Sequence, residues 1–228
     1  MVVAVVEKRL KRNPASERMM DTMEYTGERV VPEFMKADNG MLLEHMERYN
    51  FAKDYVFGRL LDLACGVGYG ADILLDELYD KKIESYLGID LSKEAIAYAR
   101  EMYGFQKTQF EQGDALDRSL EDRYGEFDTI LSFETIEHIE EDEEYVQNLT
   151  RLLHNKGTLI ISTPFGKGRD VPCASPYHIR QYLEEEFVDL LENWGFEVEL
   201  FYQRGQKIEK AKPGEKYFLM VALCRFKN

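Results

Sequence analysis

Short apolar runs recur along this chain, each closed by a polar or glycine-bearing turn, and most are followed by a stretch of helical periodicity. The first, Leu60-Leu61-Asp62-Leu63-Ala64, leads into Cys65-Gly66-Val67-Gly68-Tyr69-Gly70, and a helix is expected from Ala71 to Leu78. Ile83 to Ile89 reads as a second strand closed by Asp90, and Lys93 to Tyr103 as an amphipathic helix with Ser92 at its N-cap. Phe110 lies in a third strand ending near Gly113-Asp114. Phe127 to Ser132 form a fourth and Gly157 to Ser162 a fifth, with helices expected over 140–153 and 180–194. Val198 to Gln203 and Tyr217 to Phe226 read as two antiparallel strands flanking the polar loop 207–216, whose turn is Pro213-Gly214.

Strand and helix alternate, which predicts an α/β fold with a mostly parallel sheet covered on both faces. Upstream, residues 1–40 carry mixed charge and weak periodicity. From Met41 a helix is expected, with Leu42, Met46, Tyr49 and Val56 on one face and Leu43 beside them. The expected division is an N-terminal arm and cap helix over 1–57 and a cofactor-binding domain over 58–228. The arm from Glu17 to Gly40 is expected to close over the bound cofactor. The acidic runs 140–144 and 184–186 stand where helix starts are predicted, and there the helix dipole favours negative charge.

Composition narrows the function classes. The 228 residues carry 29 Lys plus Arg against 43 Asp plus Glu, a net charge of −14. A duplex or long RNA partner demands a basic face, so nucleic acid is disfavoured as a partner. Three widely spaced cysteines without a C-x-x-C pair suit reduced thiols and a cytoplasmic location. No run approaches the ~20 apolar residues of a membrane span. Met1 to Val6 is too short for a signal peptide, and its basic residues follow it.

The chemistry gathers at the predicted strand ends, where open α/β sheets bind their ligands. Gly66 and Gly68 permit a tight turn under a ligand, a pattern also shared by dinucleotide sites. Asp90 can accept from both hydroxyls of a ribose, and Gly113-Asp114-Ala115 can meet an adenine amine. The fourth strand delivers Phe133-Glu134-Thr135-Ile136-Glu137-His138.

These stretches together resemble the motifs of class I S-adenosylmethionine-dependent methyltransferases. Leu61 to Gly68 is similar to the family's first motif, Gly88-Ile89-Asp90-Leu91-Ser92 to its second, Gly113-Asp114-Ala115 to its third and Phe127-Asp128-Thr129-Ile130 to its fourth. Asn155 to Ile161 resembles the strand-five signature, with Lys156-Gly157-Thr158 where proline and two glycines are usual. The resemblance implies a Rossmann-like sheet of seven strands in the order 3-2-1-4-5-7-6, the last antiparallel. It implies S-adenosylmethionine as cofactor, contacted by Asp62, Ala64, Gly66, Gly68, Asp90, Leu91, Asp114, Ala115 and Phe133. Glu47-Arg48-Tyr49-Asn50 resembles the stretch of quinone-biosynthesis O-methyltransferases in which an arginine meets the cofactor carboxylate, so Arg48 is expected in that role.

Glu134, Glu137 and His138 stand at i, i+3 and i+4, which one helical turn would place on one face. With His178 they resemble the metal site of small-RNA 2′-O-methyltransferases. Two carboxylates and two imidazoles suit a divalent ion such as Mn²⁺, Fe²⁺, Zn²⁺ or Mg²⁺. Without metal, His178 or His138 is the candidate base, with Glu134 beside them. The expected function is O-methylation of a small-molecule or sugar acceptor by a monomer or homodimer. Tyr25 to Pro32 resembles the opening of methyltransferases encoded with surface-polysaccharide enzymes. The alternatives are N-methylation of an amino sugar, or cofactor binding without turnover.

Overall fold

The computed structural model describes residues 29–76, 82–173 and 175–227. Helix α1 (Gly40–Ala52) opens on Asn39, whose side chain accepts from the Leu42 amide at 3.1 Å. β1 (Gly58–Leu63) runs into the glycine turn and α2 (Tyr69–Leu74); β2 (Ile83–Asp90) follows, then α3 (Lys93–Tyr103), capped by Ser92. β3 (Thr108–Gln112), the short α4 (Leu120–Tyr124) and β4 (Phe127–Phe133) lead to a 3₁₀ turn at Ile136–His138. α5 (Asp142–Leu152), β5 (Leu153–Pro164), α6 (Glu184–Asn193), β6 (Phe196–Arg204), β7 (Lys207–Glu209) and β8 (Leu219–Phe226) complete the chain.

One eight-stranded sheet has the order β3-β2-β1-β4-β5-β8-β6-β7. β1 to β5 pair in parallel, while β8 is antiparallel to both β5 and β6. The expected seven-strand order is present with β8, between β5 and β6, as its strand seven, and the additional strand is β7, a short hairpin partner of β6 at the sheet edge. Period-two alternation splits the core in two. Leu60, Leu131, Ile160 and Val221 face α1, α2 and α3; Leu61, Ile130, Leu159 and Ala222 face α5 and α6. None of the described helices is long and apolar enough to cross a membrane.

Three boundaries differ from the sequence reading by four residues. α2 stops at Leu74, short of Leu78, which lies outside the described residues. β5 starts at Leu153, four residues early, and pairs there with Phe127. The helix expected from Arg180 starts at Glu184, because the Ile179 and Arg180 amides donate to the Glu137 carbonyl at 2.8 and 2.9 Å. Tyr182 then bridges to Phe165.

The first half of the predicted lid, up to residue 28, lies outside the described residues. The part that is described is packed down. Val30 and Val31 are buried, and Glu33 takes hydrogen bonds from the Tyr98 hydroxyl at 3.0 Å and from that of Tyr103. This ties the segment to α3.

Candidate active site

Two adjoining clefts open beyond the carboxyl ends of β1, β2 and β4. The larger, about 700 Å³, runs from Gly66 and Asp90 across Arg48, Phe133 and Glu134 to His138, Tyr177, His178 and Phe218. The smaller, about 440 Å³, is lined by Asp90, Leu91, Gly113, Asp114, Ala115 and Ile179 among others. Ala64, Asp90, Glu134 and His138 border both, so one elongated ligand can span them.

The glycine turn is built for such a ligand. Gly66 has φ +57 and a Cβ added there would meet no atom within 4 Å, leaving a cradle at the cleft wall. Its amide donates to Asp90 Oδ2 at 2.8 Å, while Asp90 Oδ1 accepts from the Ser92 amide at 2.9 Å. The carboxylate is thereby fixed at the junction of the clefts, with lone pairs remaining for two ribose hydroxyls. Asp114 caps its own turn through the Leu116 amide at 2.9 Å. Ala64 reaches φ +65, an uncommon backbone for a residue with a Cβ.

Two expected cofactor contacts lie elsewhere. A Cβ on Gly68 would strike Ala99 and Phe110 at 2.7 Å, so this glycine serves the packing of α2 against α3 and β3 and lines neither cleft. Asp62 points to the α1 face of the sheet because β1 alternates. There it accepts from the Tyr49 hydroxyl at 2.9 Å and the Tyr86 hydroxyl at 2.5 Å. Burial raises its pKa to about 6, against the opposing pull of the two tyrosines. Asp62 is a strut beneath the site, and Tyr49 carries its effect to Phe133 through an edge contact at 5.1 Å.

Arg48 is almost wholly buried. Its Nη1 donates to Gln203 Oε1 at 2.9 Å, its Nη2 to the Glu134 carboxylate, and its Nε has no partner among the described residues. His45 Nε2 lies 3.0 Å from the same Glu134 oxygen. Burial works against ionisation of Glu134, but Arg48 and then His45 outweigh it and hold its pKa down to about 2. His45, Gln203 and Phe218 were not found from sequence. Met41, Glu44, His45 and Arg48 form one stripe of α1 along the cleft, and that spacing was a usable signal for His45. Gln203 had none.

The metal-type cluster forms in part. Ligand atoms of Glu137, His138 and His178 all lie within 4.8 Å of one another. Glu134 is not on their face: it takes φ +48 at the end of β4, ahead of the 3₁₀ turn, and points to Arg48 and His45. His178 arrives because its neighbours Ile179 and Arg180 bond the Glu137 carbonyl. His138 Nδ1 lies 2.9 Å from the Tyr177 carbonyl, which can only accept, so the neutral ring carries its lone pair on Nε2. Glu137 is fully buried; Oε2 accepts from Thr163 at 3.1 Å and Oε1 has no partner among the described residues. Burial, and then the charge of Glu134, pushes its pKa well up. A buried orphan carboxylate oxygen beside two imidazoles is a donor set that fits a borderline divalent cation.

Comparison with known proteins agrees with this geometry. The family model described as "Methyltransferase domain" matches residues 58–213. A Mycolicibacterium smegmatis protein named "Probable S-adenosylmethionine-dependent methyltransferase" is 31% identical over 76% of this chain and 65% of its own length. The juvenile hormone acid O-methyltransferase of Bombyx mori is 29% identical over 68% of this chain and 62% of its own. The chain thus spans somewhat under two thirds of these relatives. A TehB-like methyltransferase structure from Corynebacterium glutamicum superposes with a TM-score of 0.58 at 22% identity, covering 94% of this chain and all of that one. With the motif glycines, the Asp90 junction and the sheet order in place, the chain belongs to the methyltransferase-domain family, among the class I S-adenosylmethionine-dependent methyltransferases.

Proposed function

We propose that the protein transfers a methyl group from S-adenosylmethionine to a hydroxyl oxygen of a small molecule, a sugar among the candidate acceptors, with help from a divalent ion. The reading is carried by the cluster of Glu137, His138 and His178 on the wall of the cleft that also holds Gly66 and Asp90.

S-adenosylmethionine supplies an electrophilic methyl group, and a divalent ion supplies Lewis acidity to an acceptor hydroxyl. The chain does the positioning. Asp90 holds the ribose, Gly113 to Ala115 border the adenine cleft, and Arg48 faces the methionine end. The acceptor would enter between Tyr177, Phe218 and the histidines; with an ion held there its hydroxyl proton would leave to water, because the His138 Nε2 lone pair is then committed to the ion. Alignment of this kind is worth ~7–11 kcal/mol. Glu137, His138 and His178 would hold the ion.

The test is a panel of hydroxylated and amino acceptors, sugars included, incubated with methyl-labelled cofactor. The expected product carries the label on oxygen. Label found only on nitrogen would replace this reading by the amino-sugar N-methyltransferase.

A further inference from the structure

Glu134 stands between two binding sites and is committed to one of them. On one side its carboxylate is paired with Arg48 and His45. On the other it lines the same cleft as Glu137, His138 and His178. Its left-handed backbone is an uncommon conformation for glutamate. The strain is held by the chain itself, since the Glu134 amide donates to the Ser162 carbonyl at 3.1 Å and to its hydroxyl at 3.2 Å. Backbone strain retained at a cleft is commonly part of how the site works.

Arg48 is the cation at the methionine end of the larger cleft. When the carboxylate of a cofactor reaches it, two anions share one guanidinium. Like charges a few ångströms apart repel, so Glu134 opposes the incoming carboxylate for as long as no second cation is present. Glu137, His138 and His178 offer three protein donors, the number found in catalytic sites that leave a position to water or substrate, and a carboxylate of Glu134 would make a fourth.

We propose that Glu134 couples the two ligands: the cofactor's carboxylate displaces it from Arg48, and it then completes the donor set around Glu137, His138 and His178, so cofactor and metal bind with positive cooperativity. This rests on the metal-assisted reading above. Thermodynamic linkage requires the effect to be reciprocal, the metal tightening the cofactor by the factor with which the cofactor tightens the metal.

Calorimetric titration of chelator-treated protein with S-adenosylhomocysteine, without and with saturating Mn²⁺, reads the coupling directly. Mn²⁺ is expected to tighten S-adenosylhomocysteine at least fivefold, within the usual range of coupling between sites. Mn²⁺ titrations run without and with S-adenosylhomocysteine should give the same factor. In Glu134→Gln the metal-free affinity for S-adenosylhomocysteine should equal or exceed that of wild type, because the competing charge is gone, and Mn²⁺ should no longer change it. The decarboxylated analogue, which cannot displace Glu134, should bind wild type equally with and without Mn²⁺.

If Mn²⁺ and S-adenosylhomocysteine each bind wild type but independently, the coupling is wrong and the metal reading stands. Undiminished coupling in Glu134→Gln would remove Glu134 from the role. If no Mn²⁺ binds even with S-adenosylhomocysteine present, the metal reading falls and the coupling with it.

Discussion

Replacing Asp62 by Asn separates a strut from a ligand. The carboxylate is fully buried on the α1 face of the sheet and holds two tyrosine hydroxyls, with its pKa raised from an ordinary 3.8 to about 6. That difference corresponds to about 3 kcal/mol between the two protonation states. The folded protein keeps this proton to higher pH than the unfolded chain does. Asp62 therefore lowers stability as pH rises from about 4 to about 6, and its contribution is flat above that. Urea unfolding of wild type and Asp62→Asn across this range should show the wild type losing up to about 3 kcal/mol relative to the variant. Half of that effect would move Tm by about 3–6 °C in a chain of this size. Cofactor affinity should change less than threefold, since Asp62 lines neither cleft. A parallel pH profile for the two proteins, together with a tenfold loss of S-adenosylhomocysteine affinity, would refute the strut and restore Asp62 as a cofactor ligand.

Other substitutions test the remaining assignments. Asp90→Ala should weaken S-adenosylhomocysteine binding by calorimetry roughly 10–100-fold, the range for hydrogen bonds to a charged group; unchanged affinity would remove Asp90 from the ribose. Gly66→Ala should lose the cofactor at a stability cost of only about 1–2 kcal/mol for an alanine at φ +57, since its Cβ meets open space; Gly68→Ala, at φ +82 with a Cβ that strikes Ala99 and Phe110, should unfold more easily still in urea, by about a further 1–3 kcal/mol. Asp142→Asn weakens the contacts with Arg169 and the 2.9 Å bond from Tyr182 that hold the 165–183 segment to α5. Hydrogen exchange should then rise across that segment and the acceptor KM should increase, while cofactor affinity stays constant.

What the sequence made legible was the cofactor side, for a physical reason. A glycine turn, an acid at the end of β2 and a turn after β3 follow from the geometry of strand ends, and each leaves a mark at fixed spacing. The strand order was legible through the family resemblance of those motifs. The surroundings of Arg48 and the acceptor side were harder to read because they are assembled from distant segments. Arg48 finds Gln203 and Glu134 across 155 and 86 residues, and no local pattern encodes either contact. The spacing of Glu134, Glu137 and His138 suggested a single helical face, but positive φ at Glu134 and the short 3₁₀ turn separate the first from the other two. Arg180 looked like a helix start by composition, yet the Glu137 carbonyl claims its amide and so brings His178 to the cleft. Asp62 kept its place in the motif while the pleat of β1 turned its side chain away from the ligand.

A divalent ion held by Glu137, His138 and His178 would act on the acceptor oxygen and reach the cofactor only through Glu134. Turnover of an identified acceptor by wild type in excess EDTA, measured beside S-adenosylhomocysteine affinity in the same buffer, tests it most directly. Methyl transfer should be abolished while S-adenosylhomocysteine still binds, weakened only by the coupling factor, and added Mn²⁺ or Mg²⁺ should restore the rate. Full activity in EDTA would contradict it, leaving His138 and His178 as bases that work without a metal.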